Sequence, residues 1–204
     1  MFLRHSHRDS IQNVQEMANL GLTNQGKEIA QIFGKNLPFN KSIRIFHSAI
    51  KRCKETAECI LEGFLNIGGK GKIIGPFKPL FQVDGDREYI VDQIFNNPDK
   101  QLINRWGAAH FPPEKIEPLH IFSKNTAEQI FKMAKEDPTN HIDIYVTHDL
   151  QIMAFRYSWF GLDPCDYWVS FIGGFIISKN GNNTRVFNNG KLHEIKPPYW
   201  WGNL

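Results

Sequence analysis

The chain has 204 residues, 41% of them hydrophobic and 22% charged, with a formal net charge of +3. Those proportions suit one soluble domain over 1–204 with a sizeable core, and the mild charge excludes a strongly electrostatic nucleic-acid binder. No apolar run reaches the roughly 20 residues of a membrane-spanning helix, and the apolar start breaks at Arg4, so neither a membrane anchor nor a signal peptide is expected.

The three cysteines, Cys53, Cys59 and Cys165, are few, odd in number and not in CxxC spacing. They predict reduced thiols and a cytoplasmic location.

In chain order, residues 1–5 predict a short buried strand. Residues 22–37, "LTNQGKEIAQIFGKNL", predict a helix capped by Thr23 and stopped by Pro38. Residues 42–49, "SIRIFHSA", alternate like a strand. Residues 50–65 predict a helix with Ala57, Ile60, Leu61 and Phe64 inward. A third strand over 72–81 is broken by Gly75 and Pro76.

The segment 82–122 is the least regular and holds a helix around 86–96. A helix over 123–137 leads to the apolar strand "HIDIYVTHD" and a helix over 150–161. Residues 167–180, 183–189 and 191–195 predict an antiparallel meander with turns at "NGNN" and "NNG". The tail "KPPYWWGN" suits packing against the domain more than docking a partner. Alternating strands and helices predict a three-layer α/β/α sandwich with a mostly parallel sheet.

Ligands of such sheets sit beyond the carboxyl ends of the strands. Three strand ends here carry unusual chemistry: "LRHSHR", "FHSAIKR" and "VTHD". Alone, Arg4-His5 reads as a solvated turn, Arg52 as a surface arginine and His148 as a core histidine. Together they make an anion site, because guanidinium donors match phosphoryl oxygens in charge and geometry. Asp149 fits a helix cap and a proton donor equally. Ser48 reads as a cap, and His7 and His47 as neighbours of the site. The "HSH" spacing could serve a metal, but the arginines would repel a divalent cation, so no metal is expected. No P-loop is present.

These motifs, with "LTNQGKEIAQIFG" and "FHSAIKRCKETAE", resemble the histidine phosphatase superfamily, the phosphoglycerate mutase-like or histidine acid phosphatase group. The resemblance implies that His5 is a nucleophile forming phosphohistidine. It implies that Arg4, Arg8, Arg52 and His148 hold the phosphoryl group and that Asp149 donates a proton. Asp84, Asp86 and Glu88 are the alternative acids, after the third strand. Ser6 stands where the family usually has glycine.

No cofactor is implied. Residues 73–122 would cover the site, with Asp84, Asp86, Arg87, Arg105, Trp106 and His110 as candidates to touch the leaving group. The expected activity is hydrolysis of a small phosphorylated substrate or a phosphoprotein, by a monomer or homodimer without membrane or nucleic-acid partners. A mutase and a non-catalytic phosphate-binding module are the alternatives.

Overall fold

Strand residues of opposite parity face opposite sides of a sheet, and here both sides are apolar. The computed structural model describes residues 1–97, 99–136, 141–180, 183–196 and 198–203. Its elements run β1 (Phe2–Arg4), α1 (Val14–Asn19), α2 (Asn24–Lys35), β2 (Ser42–His47), α3 (Lys51–Asn66) and β3 (Gly71–Pro76). Then follow α4 (Arg87–Asn96), α5 (Asp99–Gly107), α6 (Leu119–Glu136), β4 (His141–Thr147), α7 (Asp149–Phe160), β5 (Gly174–Asn180), β6 (Asn183–Asn188) and β7 (Lys191–Glu194).

The seven strands form one sheet in the order β3-β2-β4-β1-β5-β6-β7. Strands β3, β2, β4 and β1 pair in parallel. Strands β5, β6 and β7 continue the sheet antiparallel. The α/β/α sandwich is therefore found, with a mixed sheet whose parallel half ends at the site.

One face carries Leu3, Ile43, Ile45, Ile144 and Val146, buried against Ala30 of α2 and Cys53, Ala57, Ile60 and Phe64 of α3. The other carries Phe2, Phe46, Tyr145 and Phe175, buried against Leu102 and Trp106 of α5 and Phe155 and Trp159 of α7. Helices α2 and α3 cross at close range through two glycines. A Cβ on Gly34 would lie 2.1 Å from the Ile60 carbonyl oxygen, and one on Gly63 2.1 Å from that of Gln31.

Several predicted boundaries shift. The third strand stops at Pro76, and Lys78–Leu80 form a 3-10 turn around Pro79, which lacks the N–H a ladder requires. The strand expected over 167–180 begins only at Gly174, because 167–173 is a loop in which Ile172 takes a positive φ of 57°. Helices α1 and α5 were not expected.

In the tail, Trp201 is buried against Phe131, Trp159 and Phe160, while Tyr199 is exposed. Asp137 and the predicted turn at 181–182 lie outside the described residues. Among the described residues, no helix is long and apolar enough to cross a membrane.

Candidate active site

Parallel pairing of β1 with β4 matches Arg4 to Thr147. The next residues, His5 and His148, therefore leave adjacent strands side by side, with ring centroids 5.5 Å apart. Strand β2 lies on the other side of β4, with His47 opposite Val146, so α3 starts over the same crevice. The convergence of "LRHSHR", "FHSAIKR" and "VTHD" follows from this strand order alone.

His5 is 1% exposed. Its Nδ1–H donates to the Ser6 carbonyl at 2.8 Å, which leaves Nε2 as a lone-pair acceptor. That lone pair accepts from Arg52 Nε at 3.0 Å. Arg52 Nη2 donates to His148 Nδ1 at 3.1 Å, and Arg52 Nη1 donates to the Met17 carbonyl of α1. With Nδ1 accepting, His148 carries its proton on Nε2 and donates to Ser48 Oγ at 2.9 Å. The same Oγ accepts from Ile50 N–H. Ser48 thus seats His148 rather than simply capping α3, whose N-cap residue is Ile50.

Burial, followed by the positive charge of Arg52, pushes the His5 pKa down to about 2. The same two causes hold His148 well below the ordinary histidine range. Both imidazoles are therefore neutral in the native protein. Buried Cys53 lies 3.6 Å from His148 Nε2, but burial pushes its thiol up to about 12, so it offers no thiolate.

A consequence for stability can be measured. Below the ordinary histidine pKa of about 6.5, the unfolded chain binds protons that the native histidines refuse. Stability is full above that pH and falls as pH drops toward the native value of about 2 for His5. The loss is about 1.4 kcal/mol per pH unit per histidine. His5→Gln is expected to make urea-derived stability between pH 6 and pH 4 less steep by about one proton. Equal slopes in the two proteins would contradict the burial of a neutral His5.

Three guanidinium groups surround this pair. Arg4 Nη1 donates to the Val169 carbonyl, Nη2 pairs with Asp149 Oδ2 at 2.6 Å, and the group lies 4.3 Å over the Phe171 ring. Arg8 donates to the Asp9 carbonyl. The Nε atoms of Arg4 and Arg8 are buried without a hydrogen-bond partner. Burial lowers the pKa of Arg8 and Arg52, and like charge nearby adds to it. Buried donors without acceptors are costly, and an anion would satisfy them.

The cleft opens into a cavity of about 290 Å³ bounded by Arg8, Arg52, His148 and Asp149 at one end. Helices α1 and α4 wall it with Val14, Met17, Arg87, Val91 and Ile94. Among the described residues lining it, Asp149 is the sole carboxylate. Asp149 Oδ1 accepts from Leu150 N–H, and Oδ2 lies 3.4 Å from Trp168 Nε1. It is the first residue of α7; His148 holds the cap position.

The other predicted acids lie elsewhere. Asp84 pairs with Lys78 at a separate cleft beside Glu117. Asp86 caps α4 and pairs with Lys115. Glu88 is exposed in the first turn of α4, and His110 is exposed after α5. Of the predicted leaving-group residues, only Arg87 reaches the cavity. Arg105 bonds Asn97, and Trp106 is buried with its Nε1 donating to the Glu117 carbonyl.

The two "HSH" histidines diverge. His5 bonds the Ser6 carbonyl, whereas His7 Nδ1 bonds Thr23 Oγ1. Among the described residues, no three His, Cys, Asp or Glu side chains group as ligands for a metal. Ser6 fits without a positive φ: its Oγ donates to the Gly26 carbonyl at 2.7 Å, and its N–H to Thr56 Oγ1. Gly26 in turn allows this loop onto α2, since a Cβ there would lie 2.1 Å from the His7 carbonyl oxygen.

Sequence reasoning missed Phe171, which packs on His5, His7 and Arg4, and the Met17 carbonyl that anchors Arg52.

Residues 1–67 match the family model of the histidine phosphatase superfamily (branch 1). No curated protein matches the chain. Among solved structures, phosphoglycerate mutase from Bacillus anthracis str. Sterne is similar at 18% identity and TM-score 0.53, over 97% of this chain and 90% of that one. Phosphoserine phosphatase from Entamoeba histolytica, in complex with 3-phosphoglyceric acid, is similar at 14% identity and TM-score 0.57, over 96% and 94%. A mycobacterial glucosyl-3-phosphoglycerate phosphatase, with inorganic phosphate, is similar at 15% identity and TM-score 0.56, over 91% and 86%. The resemblance read from the motifs is thus borne out: residues 1–67 carry the histidine phosphatase superfamily match, and the chain as a whole has the phosphoglycerate mutase-like fold.

Proposed function

We propose that this protein is a cytoplasmic phosphomonoesterase working through phosphohistidine on His5. The observation that carries this reading is the His5 Nε2 lone pair, held by the Ser6 carbonyl at Nδ1 and surrounded by Arg4, Arg8, Arg52 and His148. A phosphate ester entering the cleft takes over the Arg52 donors and satisfies the orphan Nε groups of Arg4 and Arg8. Freed from Arg52, Nε2 attacks phosphorus in line as the bond to the leaving oxygen breaks. The arginines stabilise the charge spread over the phosphoryl oxygens. The ester enters as its monoanion and leaves its proton on Asp149, the carboxylate at the cavity, which then gives it to the leaving oxygen as that bond breaks. Water then attacks phosphohistidine and passes a proton to Asp149, and inorganic phosphate leaves with Nε2 restored.

Hydrolysis is favoured over mutase transfer by the wall opposite the phosphoryl end. A mutase must hold a doubly phosphorylated intermediate, and Arg87 is the one cation among the described residues of that wall. The test is turnover of p-nitrophenyl phosphate with and without EDTA. Activity is expected to survive chelation, with orthovanadate inhibiting competitively. Loss on chelation, restored by a divalent ion, would contradict the scheme.

A further inference from the structure

The wall of the cavity says what kind of leaving group would fit, given the phosphatase reading above. Beyond the phosphoryl end, it is built from Ile11, Met17, Phe81, Val91, Ile94 and Leu150. A polar leaving group such as a sugar would lose its water there and find few partners. A second cavity of about 40 Å³ lies between α4, α5 and α7, where Ile90, Leu102, Ile103 and Trp106 close it. Ile94, Leu150 and Gln151 line both cavities, so a second apolar space lies directly behind the wall of the site. Gln151 Oε1, at that junction, is buried without a hydrogen-bond partner. An acceptor of this kind is costly to leave unmet and suits one donor on a ligand.

We propose that the substrate is a phosphate monoester of a mostly apolar alcohol, whose chain or ring runs along α4 and offers one hydroxyl or amide donor to Gln151. Arg87 stands at the rim, where the ligand meets water. Specificity is then set by α4 and the start of α7, while the phosphoryl end is indifferent to the alcohol.

The test is kcat/KM along ethyl, butyl and hexyl phosphate and the corresponding ω-hydroxy esters, with acetyl phosphate as a small activated substrate and glycerol phosphate as a polar one. Burial of each methylene predicts a rise of about fourfold. Hexyl phosphate is expected to exceed glycerol phosphate by at least tenfold. At one chain length the ω-hydroxy ester should exceed its methyl-ended partner, and Gln151→Leu should reverse that order.

Val91→Asp should flatten the hexyl-to-ethyl ratio. Because the ratio is taken within one protein, any loss common to all substrates cancels. A flat or falling series, with acetyl phosphate still hydrolysed in a His5-dependent way, would overturn this inference and leave the phosphatase reading standing. No turnover of any ester, nor of acetyl phosphate, would overturn both.

Discussion

His5→Ala is expected to give a folded protein without phosphatase turnover, with kcat reduced on the order of 10³- to 10⁶-fold, as for removal of other enzymatic nucleophiles. The imidazole ends a strand rather than filling either hydrophobic cluster of the sheet. The backbone N–H of His5 keeps its bond to the Thr147 carbonyl whatever the side chain. Far-ultraviolet circular dichroism should therefore stay native. Some stability, about 1–3 kcal/mol, is lost because Arg52 Nε is left without its acceptor. His7→Ala is the matching control: it removes an imidazole two residues away that bonds Thr23 and should retain turnover. Equal losses in the two variants would mean that the whole loop, not His5 chemistry, had been disturbed.

Asp149→Asn is expected to separate two classes of substrate. An alkoxide is a poor leaving group and needs a proton, so hydrolysis of alkyl phosphates should slow on the order of 10²- to 10⁴-fold. Nitrophenolate leaves without one, so p-nitrophenyl phosphate should slow far less. Asparagine can still accept from Leu150 N–H, so the start of α7 is preserved. It loses the ion pair with Arg4, whose guanidinium keeps the Val169 carbonyl and its place over Phe171. Equal losses on both substrates would assign Asp149 to holding Arg4 instead. No loss on either would reduce it to a helix-start residue.

The sequence made the floor of the site legible and its roof much less so. His5, Arg52 and His148 were readable because parallel strands place their carboxyl ends at one edge, and that rule needs only the strands themselves. The roof depends on how short helices dock. Helix α1 carried a local signal, since Asn13 Oδ1 accepts from Glu16 N–H while the Glu16 carboxylate accepts from Gln12 N–H and Asn13 Nδ2. Helix α5 carried one as well, in the helical spacing of Leu102, Ile103 and Trp106. Neither signal says which face meets the cleft.

The run Asp84, Asp86 and Glu88 looked like a supply of acids because composition cannot distinguish a catalytic carboxylate from a capping one. Asp86 is the cap of α4, and Asp84 balances Lys78. Phe171 was invisible for a related reason: it lies in a loop after α7, and only the tertiary fold folds it onto His5.

The most direct measurement is a rapid quench of the wild-type protein with ³²P-labelled phosphate ester, followed by mapping of the labelled peptide. The expected result is a phosphoenzyme that is labile in acid and stable in base, with the label on His5 and none in His5→Ala. Turnover without a trappable phosphoenzyme, or label on any other residue, would contradict it.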